Sequence, residues 1–226
     1  MKIRRLITGP AWRRTVLSLY LLLDRRAVTF LIIDVMMLLT FITAALLGEG
    51  DAKAIYFIVV LVPFMVLGLP VLSDTVALER RAGSLDLALS TPGSDHYFDR
   101  RIGSFCALMF VQGAGALVVA RFTLDAFPLW PALIQLALSC GLIGTTVLFW
   151  SLRLRTVGAV LFAAIITFVL LGKWLFSSPV YPHWLQREPA EVLVGWAANN
   201  GVILFTAILF YLYSRRRLGK PELLLQ

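Results

Sequence analysis

The stretch ALERRAGSLDLALSTPGSDHYFDRR, Ala77 to Arg101, is a polar, charge-balanced segment of a mostly apolar sequence, and its side chains are of types that could do chemistry. Glu79, Asp86, Asp95 and Asp99 stand there among Arg80, Arg81, Arg100 and Arg101. Clustered carboxylates can hold a divalent cation, but these lack a repeated metal-type spacing such as D-x-x-D. His96 precedes the third long apolar run and His183 follows the fifth. Three membrane crossings between them would put them on opposite faces. They then cannot share a metal or a proton, since transfer needs heavy atoms about 3 Å apart. A Ser-His-Asp triad would have to be built around one isolated loop histidine, which its strict geometry disfavours. Cys106 and Cys140 both lie inside apolar runs and form neither a disulfide framework nor a metal-ligand pattern. Gly172-Lys173 and Gly219-Lys220 lack the upstream glycine and the following Ser or Thr of a phosphate loop, so the chain is not expected to bind ATP in that mode. No catalytic, cofactor-binding or metal-binding set is expected in this chain, and it is not expected to be an enzyme by itself.

The elements around these residues are apolar. Of 226 residues, 59% are hydrophobic and 15% charged, with a mean hydropathy of +0.84. Soluble domains are nearer 45–50% apolar and about 25% charged, so a membrane protein is indicated. Six runs approach the roughly 20 helical residues that cross a hydrocarbon core of about 30 Å. They are Ala27 to Leu47, Ile55 to Leu72, Ile102 to Ala120, Phe127 to Trp150, Val157 to about Phe176, and Val192 to Tyr213. Each is continuously apolar rather than alternating, which predicts helices and not barrel strands. The fold class expected is therefore all-α, a polytopic protein with six transmembrane helices.

The net charge of +8 could signal nucleic acid, but its distribution argues otherwise. With the N-terminus in the cytoplasm, 17 of the 21 Lys and Arg residues fall on the inner side and 4 on the outer side. This is the positive-inside pattern. It predicts both termini cytoplasmic and a multi-pass protein of the plasma (inner) membrane, and it leaves no basic face for nucleic acid. Trp130 and Trp150 bracket the fourth run, as interfacial tryptophans do. No cleavable signal peptide is evident, because the run Val16 to Leu23 is short and leads into Asp24-Arg25-Arg26.

Two flanking regions are irregular. In 10–26, Trp12, Val16, Leu19, Tyr20 and Leu23 share one helical face, too short to span. An amphipathic helix lying in the inner interface is expected, in preference to a plain extension of the first span. In 173–191, Pro179, Pro182 and Pro189 forbid one continuous helix. Short turns dipping into the outer leaflet and a plain external loop both fit this Pro- and Trp-rich segment.

Polar residues inside the runs are the candidates for a pathway or gate. Asp34 lies about 10 Å into the first run, and a membrane carboxylate is costly enough to suggest function. A structural or gating role is preferred over proton coupling, because no second intramembrane carboxylate offers a relay. Gln112, Gln135, Asn199 and Asn200 could line a pathway or bond helices to each other. Gly113, Gly115, Gly141 and Gly144 permit close helix packing, and Cys106 and Cys140 read as free packing residues.

The charged stretch itself reads as short helices. Ser84 is a good N-cap with Asp86 in the following first turn. Thr91-Pro92-Gly93 stops that helix, and a further short turn, Asp95 to Arg101, leads back to the membrane. A compact knob with charges and a small leucine face suits a groove on another protein. Glu79-Arg80-Arg81-Ala82-Gly83-Ser84-Leu85-Asp86-Leu87-Ala88-Leu89-Ser90-Thr91-Pro92 resembles a segment of ABC-2-type transporter permeases that runs roughly E-R-x-x-G-[ST]-[LM]-[DE]-x-x-L-x-[ST]-P. Its place between the second and third of six runs strengthens the resemblance. The interfacial N-terminal helix, the Pro- and Trp-containing outer region and the basic tail extend it along the chain. Arg100 and Arg101 fall near the basic residue with which the family usually opens its third span. The very short loop after the first run, Gly48 to Ala54, departs from relatives that carry large external domains.

The resemblance implies a single transmembrane permease domain over 1–226 that works as a dimer, with an identical copy or a sister permease. It implies docking on a separate nucleotide-binding ATPase subunit that carries the ATP and Mg, with membrane lipids around the pair. The 73–101 loop would be the cytoplasmic coupling loop, with Glu79, Arg80, Gly83, Ser84, Leu85, Asp86, Leu89 and Pro92 as its ATPase-coupling residues. Such members mostly export. Two other classes stay open from the residues alone: a polytopic membrane enzyme acting on lipids, and a non-transporting scaffold that recruits a soluble partner through the same knob.

Overall fold

The structure, a computed structural model, describes residues 35, 68–73, 97–123, 129–176 and 189–219. Among the described residues every regular element is a helix. Four are long: α1 (Tyr97–Thr123), α2 (Leu129–Ser151), α3 (Val157–Phe176) and α4 (Pro189–Leu218). Residues 69–73 are also helical, and Leu69, Val71 and Leu72 are buried in the same core. These last belong to the end of the second run. The first run apart from Val35, the interfacial segment 10–26, Asp34 and residues 74–96 lie outside the described residues.

Each helix follows from its sequence. α1 places Asp99 in its first turn and Arg121 in its last, charges that complement the helix dipole. It begins at Tyr97, so residues 97–101 are the opening turns of a membrane helix rather than a separate short turn. No glycine or proline lies between Tyr97 and Ile102 to interrupt it. α2 has no charged residue. It ends at Ser151, where the chain reverses through hydrogen bonds from Arg153 N to Trp150 O (3.0 Å) and from Leu154 N to Trp150 O (2.8 Å). Thr156 caps α3, its Oγ1 accepting from Ala159 N at 3.3 Å while its carbonyl accepts from Val160 N at 3.1 Å. α4 opens on Pro189, where a missing N–H costs nothing. It closes with Arg215, Arg216 and Arg217 in the last turn and with Gly219 N bonded to Arg215 O at 3.0 Å.

Among the described residues three stretches are long and apolar enough to cross a membrane: Phe98–Phe122, Leu129–Ser151 and Val194–Leu218. The apolar stretch described in α3, Val157–Leu171, is shorter. The expected boundaries of the third to sixth runs agree with α1 to α4 at the level of whole helices. α1 and α4 overrun their apolar runs at both ends, because a helix continues through the interface after hydropathy has dropped.

α2 is the centre of the group. It packs against α1, α3 and α4, and α3 also meets α4. In its most apolar window 61% of residues are buried, against 33% for α1 and 11% for α4. Leu136, Leu142 and Val147 are fully covered. Contacts set the directions. Gly144 meets Ile102 and Cys106, whereas Gly113 meets Leu136, so α1 and α2 run antiparallel. Phe149 stacks on Phe210 with centroids 4.5 Å apart, and Arg153 lies over Tyr213, so α2 and α4 run parallel. The start of α1, the α2–α3 turn and the end of α4 therefore meet at one end of the group.

Four hydroxyls within the helices bond back to their own helix backbone. Thr145 Oγ1 donates to Gly141 O (2.8 Å), Thr167 Oγ1 to Ala163 O (2.8 Å), Thr206 Oγ1 to Val202 O (2.8 Å) and Ser214 Oγ to Phe210 O (2.7 Å). Such back-bonding lets hydroxyls sit in an apolar helix.

Candidate functional site

The shared end of α1, α2 and α4 collects charge. Among the described residues it carries Arg100, Arg101, Arg153, Arg155, Arg215, Arg216 and Arg217, with Asp99 as its carboxylate. Among the described side chains the opposite end carries Arg121.

Asp99 is tied across the group. Arg215 Nη1 donates to its Oδ2 at 3.2 Å, and Tyr211 O–H reaches the same oxygen at 3.4 Å. The ion pair is largely shielded, its two side chains 28% and 18% exposed for Arg215 and Asp99. It joins the first turn of α1 to the last turns of α4, residues 116 apart in sequence.

Arg153 makes a second tie. Its guanidinium lies 4.3 Å from the Phe149 ring centroid and 4.5 Å from that of Tyr213. Phe149 and Tyr213 are themselves in edge contact at 5.3 Å. Trp150 packs edge-on to Phe149 at 5.1 Å and donates its indole N–H to Thr167 Oγ1 at 3.0 Å, linking α2 to α3. An aromatic layer beneath an arginine-rich rim is the arrangement expected at a membrane–water boundary.

Between these ties and the glycine contact lies a partly open cleft of about 180 Å3. Asp99 and Tyr211 stand at its charged end, while Gly103, Cys106 and Gly141 line it deeper. Asp99 to Cys106 is seven residues, about 10 Å along a helix. The cleft owes its width to glycines. A Cβ on Gly103 or Gly141 would meet nothing within 4 Å. Its floor is set by Gly144, where a Cβ would come within 2.7 Å of Cys106 Sγ.

The four glycines expected at helix contacts thus divide. Gly113 and Gly144 are contact points, with a Cβ on Gly113 falling 2.9 Å from Leu136 Cδ2. Gly115 and Gly141 face open space. Cys106 and Cys140 are free thiols, and Cys106 S–H donates to Cys140 O at 3.4 Å.

Of the pathway candidates, Gln135 and Asn200 are buried, at 2% and 5% exposure, and Gln112 and Asn199 are half-buried. The Gly113–Leu136 contact puts Gln112 and Gln135 at the same level of the α1–α2 pair. The parallel register of α2 and α4, with Phe149 beside Phe210, carries that level to Trp196, one turn before Asn199 and Asn200. Asn200 Nδ2 donates to Trp196 O at 3.0 Å. Asp34 and the coupling candidates Glu79, Arg80, Gly83, Ser84, Leu85, Asp86, Leu89 and Pro92 lie outside the described residues. Among the described residues no group of three His, Cys, Asp or Glu side chains could hold a metal ion.

The Asp99–Arg215 pair and the Arg153 clamp were not legible as sites in the sequence. Their one signal was that the start of the third run and the end of the sixth fall on the same side in the charge count. The arrangement can anchor helix ends, since Arg215 and Tyr211 of α4 both reach the Asp99 carboxylate of α1. Comparisons with protein-family models, curated proteins and solved structures yield no match to this chain.

Proposed function

We propose that the chain is the membrane-spanning permease subunit of an ABC-2-type transporter. In this reading it has six spans, cytoplasmic termini and a place in the inner membrane. It works as a dimer, as an identical pair or with a sister permease, docked on a separate ATPase that binds ATP and Mg. The observation that carries the reading is the segment Glu79 to Pro92, with its E-R-x-x-G-S-L-D-x-x-L-x-T-P pattern, standing just before α1. The seven arginines at the α1 entry end support a cytoplasmic orientation for that end.

The ties described above suit a coupling role. Movement of 79–92 would reach α1 directly. α1 passes it to α4 through Asp99 and Arg215, and to α2 through the close contact at Gly144. A segment braced in this way transmits displacement instead of absorbing it.

The test is co-purification of the tagged full chain with its ATPase, followed by transport-coupled ATP hydrolysis. Glu79→Ala combined with Gly83→Trp should abolish at least nine-tenths of coupled hydrolysis while the chain still inserts. Unchanged coupled hydrolysis, or no ATPase retained by the wild-type chain, would sink the proposal.

A further inference from the structure

We propose that the cleft between α1, α2 and α4 is a binding site for one acyl chain of an anionic phospholipid, whose headgroup is held at the arginine rim. This goes beyond the transport reading and needs no ATPase partner.

Size narrows the occupant first. Pockets for drug-sized ligands run about 300–1,000 Å3, and this cleft is about 180 Å3. A narrow apolar space of about two helical turns fits a single hydrocarbon chain rather than a folded polar molecule. Its lining agrees: Gly103, Cys106, Gly141 and Leu148 offer no charge and little hydrogen bonding. Gly103 and Gly141 are also exposed, so the cleft can be entered from the side of the helix group.

Charge selects the headgroup. The polar end of the cleft is Asp99, whose carboxylate already receives Arg215 and Tyr211. The same end of the helix group carries seven arginines among the described residues, and Arg215 meets the cleft's lining through Asp99. A cationic amphiphile would meet that field at the mouth and be repelled, whereas a phosphate would be drawn to it. Arg215 is more than a quarter exposed, and Arg100, next to Asp99, is exposed. Either can give a guanidinium donor to a phosphate oxygen. A phospholipid supplies both halves of the required chemistry at the depth where the cleft ends, about 10 Å below the charged rim.

The glycines make a clean test. Because Gly141 lines the cleft and a Cβ there meets nothing within 4 Å, Gly141→Leu is the substitution chosen to fill it. Gly115 is equally open but lies twelve residues along α1 from Gly103, about 18 Å away, so Gly115→Leu is the control. The full chain, purified in a neutral detergent, is incubated with equal amounts of phosphatidylglycerol and phosphatidylcholine. Retained lipid is then read by native mass spectrometry.

The wild type should retain phosphatidylglycerol about fivefold over phosphatidylcholine, the gain expected from one well-placed arginine near an anionic surface. Gly141→Leu should lose at least four-fifths of that retention and Gly115→Leu should keep it. If Gly141→Leu does not stay monodisperse, Gly103→Val reads the same cleft. Equal retention of the two lipids overturns the proposal. So does full retention by the cleft-filling variant, or displacement of the lipid by inorganic phosphate alone.

Discussion

Gly144→Ala tests the packing reasoning most directly. Between helices in lipid there is no hydrophobic drive to association, because lipid tails are as apolar as leucine, so close packing has to hold them. A Cβ at 144 would sit 2.7 Å from Cys106 Sγ and 3.0 Å from Ile102 Cγ2, where ordinary contact begins near 3.4 Å. The Cys106 side chain would have to give way by about 0.7 Å, and its bond to Cys140 O, already 3.4 Å long, would go with it. Overpacking of this kind costs about 1–3 kcal/mol, and the lost sulfhydryl bond adds at most about 0.5 kcal/mol. Alanine's better helix propensity returns up to about 1 kcal/mol. The net expectation is a loss of about 1–2 kcal/mol. Gly141→Ala, one turn away in open space, keeps the propensity gain without the clash and should be neutral or up to about 1 kcal/mol stabilising. Cys106→Ala removes the clashing sulfur, so the double variant should recover about 1 kcal/mol, a coupling typical of residues in contact. Reversible unfolding in mixed micelles measures all four proteins. If Gly144→Ala and Gly141→Ala were equally stable, or if Cys106→Ala failed to rescue, the contact would not carry the helix pair.

Further outcomes follow from the ties at the basic end. The Asp99→Asn and Arg215→Gln cycle should show a coupling of about 1–2 kcal/mol. That lies between the 0–1 kcal/mol of exposed pairs and the 3–5 kcal/mol lost on breaking buried ones, as fits side chains less than a third exposed. Tyr211→Phe, losing a 3.4 Å contact, should cost no more than about 0.5 kcal/mol in the same assay. Arg153→Ala should cost about 1–2 kcal/mol by losing two ring contacts. Arg153→Lys should recover only part of this, since an ammonium cannot stack between Phe149 and Tyr213 as a planar guanidinium does. Equal stability of the Lys and Ala variants with wild type would show the clamp to be ornamental.

Several features needed only local information. Continuous apolar runs exclude water-facing structure and oblige the backbone to bond within itself, so α1 to α4 were legible as helices from composition. The arginine-rich end of α4 was likewise legible as a basic tail, whereas the helix start at Pro189 was not, since that proline falls in the irregular segment before the run beginning at Val192. The segregation of basic residues is a property of the list of runs and required no contacts.

Other features needed the third dimension. Gly113 and Gly115 are two residues apart on α1, yet only the first touches α2. On α2, Gly144 makes the contact and Gly141 does not. Two residues on a helix are about 200° apart, so helix rotation alone decides which glycine is a contact and which is a cleft wall. Rotation is set by the partner helix, not by the residue itself. Asp99 looked like one charge among eight in a polar stretch, and its partner lies 116 residues away on α4. Sequence could place both on one side of the membrane because charge sorting is one-dimensional. That α2 stands between α1 and α4, bringing their ends together around a cleft, was decided only by packing, which depends on the shapes of several helices at once.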